Sequence, residues 1–179
     1  IVGPPGLGKT RLAAEFLRLD GGACTVLYGR CQSHGQHTPY LALIDLLQRW
    51  WAIAETDTVA AVAAKAKDAL QAAQMPADGA GAHLLRLLSA ALGTSPANSS
   101  SPQELRAQTF AALHALFIHH SQRQPLIILI EDAHWIDATS EQYFSALASR
   151  VTARRLLLLV TFRPGYLPPW QTQSIYAQI

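Results

Sequence analysis

The sequence predicts an α/β fold: a three-layer α/β/α sandwich around a mainly parallel sheet, incomplete at both ends. Two continuous apolar runs, residues 126–130 and 156–161, have strand length and the unbroken hydrophobicity of parallel strands covered on both faces. Between the strand-like runs lie longer stretches whose apolar residues recur at helical spacing. Strands and helices alternate along the chain, and right-handed crossovers turn such alternation into a parallel sheet with helices on its faces.

Each element has its own signal. Ile1 and Val2 read as the end of a buried strand, and residues 9–19 as the helix after it, with Leu12, Ala13, Phe16 and Leu17 on one face. Gly21 and Gly22 mark a turn before a second strand at residues 23–28, whose Val26-Leu27-Tyr28 centre is β-branched and aromatic. Pro39 suits the first turn of a helix over residues 40–51. The Ala-rich stretch 56–74 has high helix propensity and stops before Pro76, and another helix follows over 81–92. The Ser/Pro-rich segment at about 93–102 breaks the pattern as an internal surface loop. Ser101-Pro102-Gln103-Glu104 then starts a helix to about residue 120, with Ser101 as N-cap and proline at the first helical position. A helix over 138–149 joins the two apolar runs.

Length and composition bound the function. The chain has 179 residues, enough for one domain with a single core, residues 1–179. Half of it is apolar, 15% is charged and the net charge is +2, so no basic footprint argues for direct nucleic-acid contact. Two cysteines, Cys24 and Cys31, make no disulfide framework and suit a reducing, cytoplasmic setting. No apolar run approaches the roughly 18 residues of a membrane span, and no N-terminal segment reads as a signal peptide. The sequence opens on Ile1-Val2 directly against a glycine loop, so it is expected to be part of a larger protein.

That loop, Gly3-Pro4-Pro5-Gly6-Leu7-Gly8-Lys9-Thr10, carries the strongest chemical signal. Its glycines let the backbone wrap closely so that N–H groups can face phosphate oxygens, and the following helix adds its positive N-terminal end. Lys9 can bridge the β- and γ-phosphates, Thr10 can place a hydroxyl on Mg²⁺, and Arg11 completes the expected nucleotide-binding segment. The run 126–130 ends in Glu131-Asp132, where a parallel sheet delivers catalytic carboxylates. By position Glu131 would hold Mg²⁺, through water, and Asp132 would polarise the attacking water. Arg163, just past the other apolar run, can reach the γ-phosphate if the strands are parallel, and its planar fork suits phosphate. Cys31, His34 and His37 lie close in sequence but lack a fourth ligand in register, so they read as a polar loop rather than a zinc site. His83, His114, His119 and His120 read as surface or packing residues, and Trp50, Trp51 and Trp170 as packing anchors.

Glu131-Asp132-Ala133-His134-Trp135-Ile136-Asp137 resembles the acidic-pair-then-His-Trp-x-Asp signature of the STAND branch of the AAA ATPases, and Thr161-Phe162-Arg163-Pro164 resembles its Thr-x-Arg-Pro element. Gly29-Arg30-Cys31, Pro39-Tyr40, Asp45-Leu46-Leu47 and Pro168-Pro169-Trp170 are similar to the ORC-like modules joined to bacterial adenylate or guanylate cyclase domains or to tetratricopeptide-repeat regulators. The resemblance implies a P-loop NTPase fold and an ATP-driven switch with slow hydrolysis. Lys9 and Thr10 would then serve phosphate and metal, Glu131 and Asp132 would serve Mg²⁺ and water, and Arg163 would sense the γ-phosphate. It also implies ATP or ADP as ligand, partner domains in the same polypeptide (cyclase, helical-repeat or DNA-binding) and an ATP-dependent homo-oligomer, with no membrane contact. The pair is Glu-Asp where many relatives have Asp-Asp or Asp-Glu, which leaves the division of roles open. The alternative is a module that holds ATP or ADP structurally, for oligomerisation, without significant turnover. A guanine-reading Asn-Lys-x-Asp cannot be built, because the single asparagine is Asn98.

Overall fold

The structure, a computed structural model, describes residues 1–19, 22–76, 78–93, 101–151, 154–172 and 176–179. The chain divides into two compact units, Ile1–Leu46 with Ser121–Ile179, and Leu47–His120.

The first unit holds the sheet. Its strands β1 (Thr25–Arg30), β2 (Leu126–Glu131) and β3 (Leu156–Val160) stand in the order β1-β2-β3, all parallel. Every residue of β2 is buried, which explains its unbroken apolar run. Its register pairs Thr25 with Leu126 and Arg30 with Glu131 on one side, and Leu126 with Leu156 on the other. The second strand starts two residues later than its composition suggests, because Thr25 N–H bonds to the carbonyl of Pro125, immediately before β2, and the ladder opens there. The end of the expected first strand is present as one parallel bridge, Val2 to Phe162, just beyond β3.

Helix α1 (Lys9–Leu19) has the predicted bounds, but of its expected apolar face only Ala13 is buried. Leu12 and Phe16 remain 50% and 44% exposed, because they border a groove of about 660 Å³ that runs along β3 and is also lined by Leu157, Leu159 and Trp170. Helix α2 (Leu41–Trp50) begins one residue late. Tyr40 takes a left-handed φ of 65°, so Pro39 and Tyr40 form the turn before the helix rather than its first turn. Helix α6 (Ala138–Ala148) crosses from β2 to β3 and buries Tyr143, Phe144 and Leu147.

The second unit is helical. It contains α3 (Val59–Ala72), α4 (Ala80–Ala91) and most of α5 (Pro102–Arg123). Thr58 caps α3 by accepting from Ala61 N–H, and Val62, Ala66 and Leu70 form its buried stripe. Its neighbour α4 buries Leu84, Leu87 and Leu88. Ser101 and Glu104 form a reciprocal capping box at the start of α5, at 3.2 and 2.9 Å. That helix runs three residues past the expected 120 and stops just before Pro125, where the residue preceding a proline leaves helical geometry. Trp50 lies with its ring centroid 6.2 Å from Phe117 and Trp51 is buried. Most of the Ser/Pro-rich loop, residues 94–100, lies outside the described residues. Among the described residues, no helix is long and apolar enough to cross a membrane.

Candidate functional site

The glycine loop leaves the Val2 bridge and reaches α1 in six residues. Gly6 and Gly8 have φ of 80° and 93°, a left-handed backbone that a side chain would strain. Lys9 folds back over the loop, donating from Nζ to the carbonyls of Gly3 at 2.8 Å and Pro4 at 3.0 Å. Pro4, Pro5, Gly6, Leu7, Gly8, Thr10 and Arg11 are exposed, while Gly3 is buried. The loop is tied to the far end of β3: Phe162 N–H bonds to the Ile1 carbonyl at 3.1 Å, and Gly3 N–H to the Phe162 carbonyl at 3.3 Å.

The acidic pair sits one strand away. Glu131 closes β2 and is only 4% exposed. Its Oε2 accepts from the Tyr28 hydroxyl, and its Oε1 is shielded from solvent with no hydrogen-bond partner among the described residues. Asp132 leaves the strand in a left-handed conformation, φ 55° and ψ 40°, which aspartate tolerates better than most side chains. Thr161, 1% exposed, braces this turn: its Oγ1 accepts from Asp132 N–H at 3.2 Å and its carbonyl from Ala133 N–H at 2.9 Å. Asp132 also faces Arg30, Oδ2 to Nε at 3.6 Å, a partly exposed pair that salt would screen.

A one-turn 3₁₀ helix, Ala133–Trp135, continues the acidic turn. Both ring nitrogens of His134 are shielded from solvent without a hydrogen-bond partner among the described residues, and its ring centroid lies 5.1 Å from that of Trp135. Burial, then the positive charge of Arg163, with a smaller push from Lys9, lowers the His134 pKa against the opposing pull of Asp132. Lys9, Asp132 and Arg163 thus share the electrostatic neighbourhood of one neutral imidazole. Asp137, 2% exposed, accepts from Tyr40 N–H at 2.9 Å, Ala42 N–H at 3.3 Å and Ser140 N–H at 2.9 Å, so one carboxylate caps the starts of both α2 and α6. Cys31 is buried beside this carboxylate. Burial and then the charges of Asp137, Asp132 and Asp45 push its thiol up to about 12, so it is no nucleophile.

The loop, the acidic pair and Arg163 therefore converge at the carboxyl ends of neighbouring parallel strands, as the sequence order of strand and loop required. Comparison with known proteins identifies the arrangement. Residues 1–160 match the family of AAA ATPase domains, a match that runs through both units. The chain is an AAA ATPase domain. Such domains bind and hydrolyse nucleotide. This AAA ATPase domain is 27% identical over 171 residues to an uncharacterized protein of Rhizobium meliloti (strain 1021). That similarity covers 95% of the chain but 16% of the relative, so the domain spans about a sixth of that protein's length. No solved structure matches the chain.

The residues present fit a nucleotide accompanied by a divalent cation. The unpartnered, buried Oε1 of Glu131 is the kind of anionic oxygen that is retained where a cation or its water will meet it. Sequence reasoning missed Tyr28 and the bracing role of Thr161. Tyr28 stood in a predicted strand with no local sign of a carboxylate 103 residues away, and Thr161 was visible only as part of a motif.

Proposed function

We propose that this AAA ATPase domain binds ATP with Mg²⁺, hydrolyses it slowly, and acts as a regulatory switch within a larger signalling protein. The observation that carries the proposal is the convergence of Gly3, Glu131-Asp132 and Arg163 at one sheet edge, joined by the backbone bonds of Ile1 and Gly3 to Phe162 and by the bonds of Thr161 to Asp132 and Ala133. Residues 3–11 would hold the phosphates through loop N–H groups and the positive end of α1, with the Lys9 ammonium beside them. Thr10 and Glu131, the latter through water, would hold Mg²⁺, which when bound would neutralise charge on the phosphate oxygens. Asp132 would accept the proton of the water attacking the γ-phosphorus as ADP departs, and Arg163 would balance charge on the γ-phosphate. The output would pass to other domains of the same polypeptide, a cyclase, helical repeats or a DNA-binding domain, or to an ATP-dependent homo-oligomer, in the cytoplasm. The STAND-like motifs of the sequence support this reading.

The test is phosphate release by the full chain against its Asp132→Asn variant. ATP affinity should be preserved while turnover falls about 100-fold. Equal phosphate release by both proteins would remove Asp132 from the catalytic role, and none by either with ATP still bound would instead favour a structural nucleotide clamp.

A further inference from the structure

The last three residues of β1, Tyr28, Gly29 and Arg30, have no place in the roles assigned so far. Side chains alternate along a strand, so Tyr28 and Arg30 share one face of β1 and Gly29 turns to the other. The glycine is there because α2 comes close: a Cβ on Gly29 would lie 3.2 Å from Ile130 Cδ1, 3.3 Å from the Ala42 carbonyl oxygen and 3.3 Å from Leu46 Cβ. On the opposite face, the two flanking side chains meet the two acidic residues one each. Tyr28 donates its hydroxyl proton to Glu131 Oε2, and Arg30 Nε lies 3.6 Å from Asp132 Oδ2. The parallel register opposes Tyr28 to Leu129 and Arg30 to Glu131, so the phenol reaches two residues along β2 to Glu131 and the guanidinium one residue past its own partner to Asp132. Arg30 is itself anchored, its N–H bonding to Asp45 Oδ2 at 2.9 Å.

We propose that β1 supplies two positioning residues for the acidic pair, Tyr28 fixing Glu131 for the cation and Arg30 fixing Asp132 for the attacking water. The phenol occupies one oxygen of the buried Glu131 carboxylate, so the side chain cannot rotate freely and the other oxygen, Oε1, is left to face a metal or its water. The guanidinium restrains Asp132 from the side of β1, while Thr161 braces its backbone from the side of β3. Neither residue touches the reacting atoms. The inference rests on the proposed roles of Glu131 and Asp132, and it divides those roles between two separable supports.

The test uses the full chain and a fluorescent ATP analogue, titrated with Mg²⁺ and also measured in EDTA. Tyr28→Phe should raise the half-saturating Mg²⁺ concentration about fivefold while leaving affinity in EDTA unchanged. Glu131→Gln should raise it at least as much, and Tyr28→Phe should add nothing in the Glu131→Gln background, a coupling that general destabilisation would not produce. Arg30→Gln should lower kcat about threefold with the Mg²⁺ midpoint and KM unchanged, and Arg30→Lys should recover part of the loss. If Glu131→Gln shifts the Mg²⁺ midpoint and Tyr28→Phe does not, the positioning role falls while the reading of Glu131 stands. If Glu131→Gln leaves the midpoint unmoved, the reading of Glu131 as the cation's carboxylate falls, and the role of Tyr28 with it.

Discussion

The glycine loop and the acidic pair meet at one edge of the sheet but are held by different means. The loop is held from within: Lys9 bonds to carbonyls five and six residues before it, and Gly6 and Gly8 supply the backbone freedom the curve needs. The acidic pair is held from a distance, Glu131 by Tyr28 across 103 residues and Asp132 by Thr161 across 29. The turn that follows is fastened by Asp137 to Tyr40, 97 residues away. A site assembled in this way can lose its acidic half to a side-chain change elsewhere in the unit while the loop keeps its curve, which rests on the loop's own residues and on backbone bonds to Phe162.

The largest effect that would break this contrast is on stability. Asp137→Ala removes the shared acceptor of three N–H groups and leaves a buried cap unfilled, at a cost of about 3 kcal/mol. In a thermal melt the transition of this domain should fall by roughly 8 °C, and a shift below 2 °C would show that the acidic turn does not depend on its distant tether. A smaller effect sharpens the electrostatic side. The pKa of His134 is held below its ordinary value of 6.5 by burial and by Arg163, so the folded chain binds this proton less readily than the unfolded one. Its contribution to stability is complete above about pH 6.5 and is lost as pH falls toward the folded pKa. His134→Gln should therefore lose less melting temperature than the wild type between about pH 7.5 and 5.5. An equal loss in both proteins would contradict the shielded, neutral imidazole.

The same contrast explains what the sequence disclosed. The loop is a local device, so spacing alone marked its place, and α1 follows at the predicted Lys9–Leu19. Strands β2 and β3 were legible because continuous apolar runs suit a covered parallel sheet, and their carboxyl ends located Glu131, Asp132 and Arg163 in advance. Partners that depend on the fold were not legible. Nothing near Tyr28 announces a buried carboxylate, and the start of α2 was misplaced because its cap, Asp137, comes from the other side of the unit rather than from Pro39. Periodicity placed Leu12, Ala13, Phe16 and Leu17 on one face of α1, but it reports which residues are hydrophobic, not what lies against them. Here Leu12 and Phe16 border the groove along β3.

The central claim, that residues 3–11 hold the phosphates of ATP, is tested most directly by the affinity of the full chain for ATP with and without the Lys9 ammonium. Lys9→Ala should weaken ATP binding at least about 100-fold by calorimetric titration while leaving the thermal transition within about 2 °C of the wild type. Unchanged affinity in a folded Lys9→Ala protein would contradict the account.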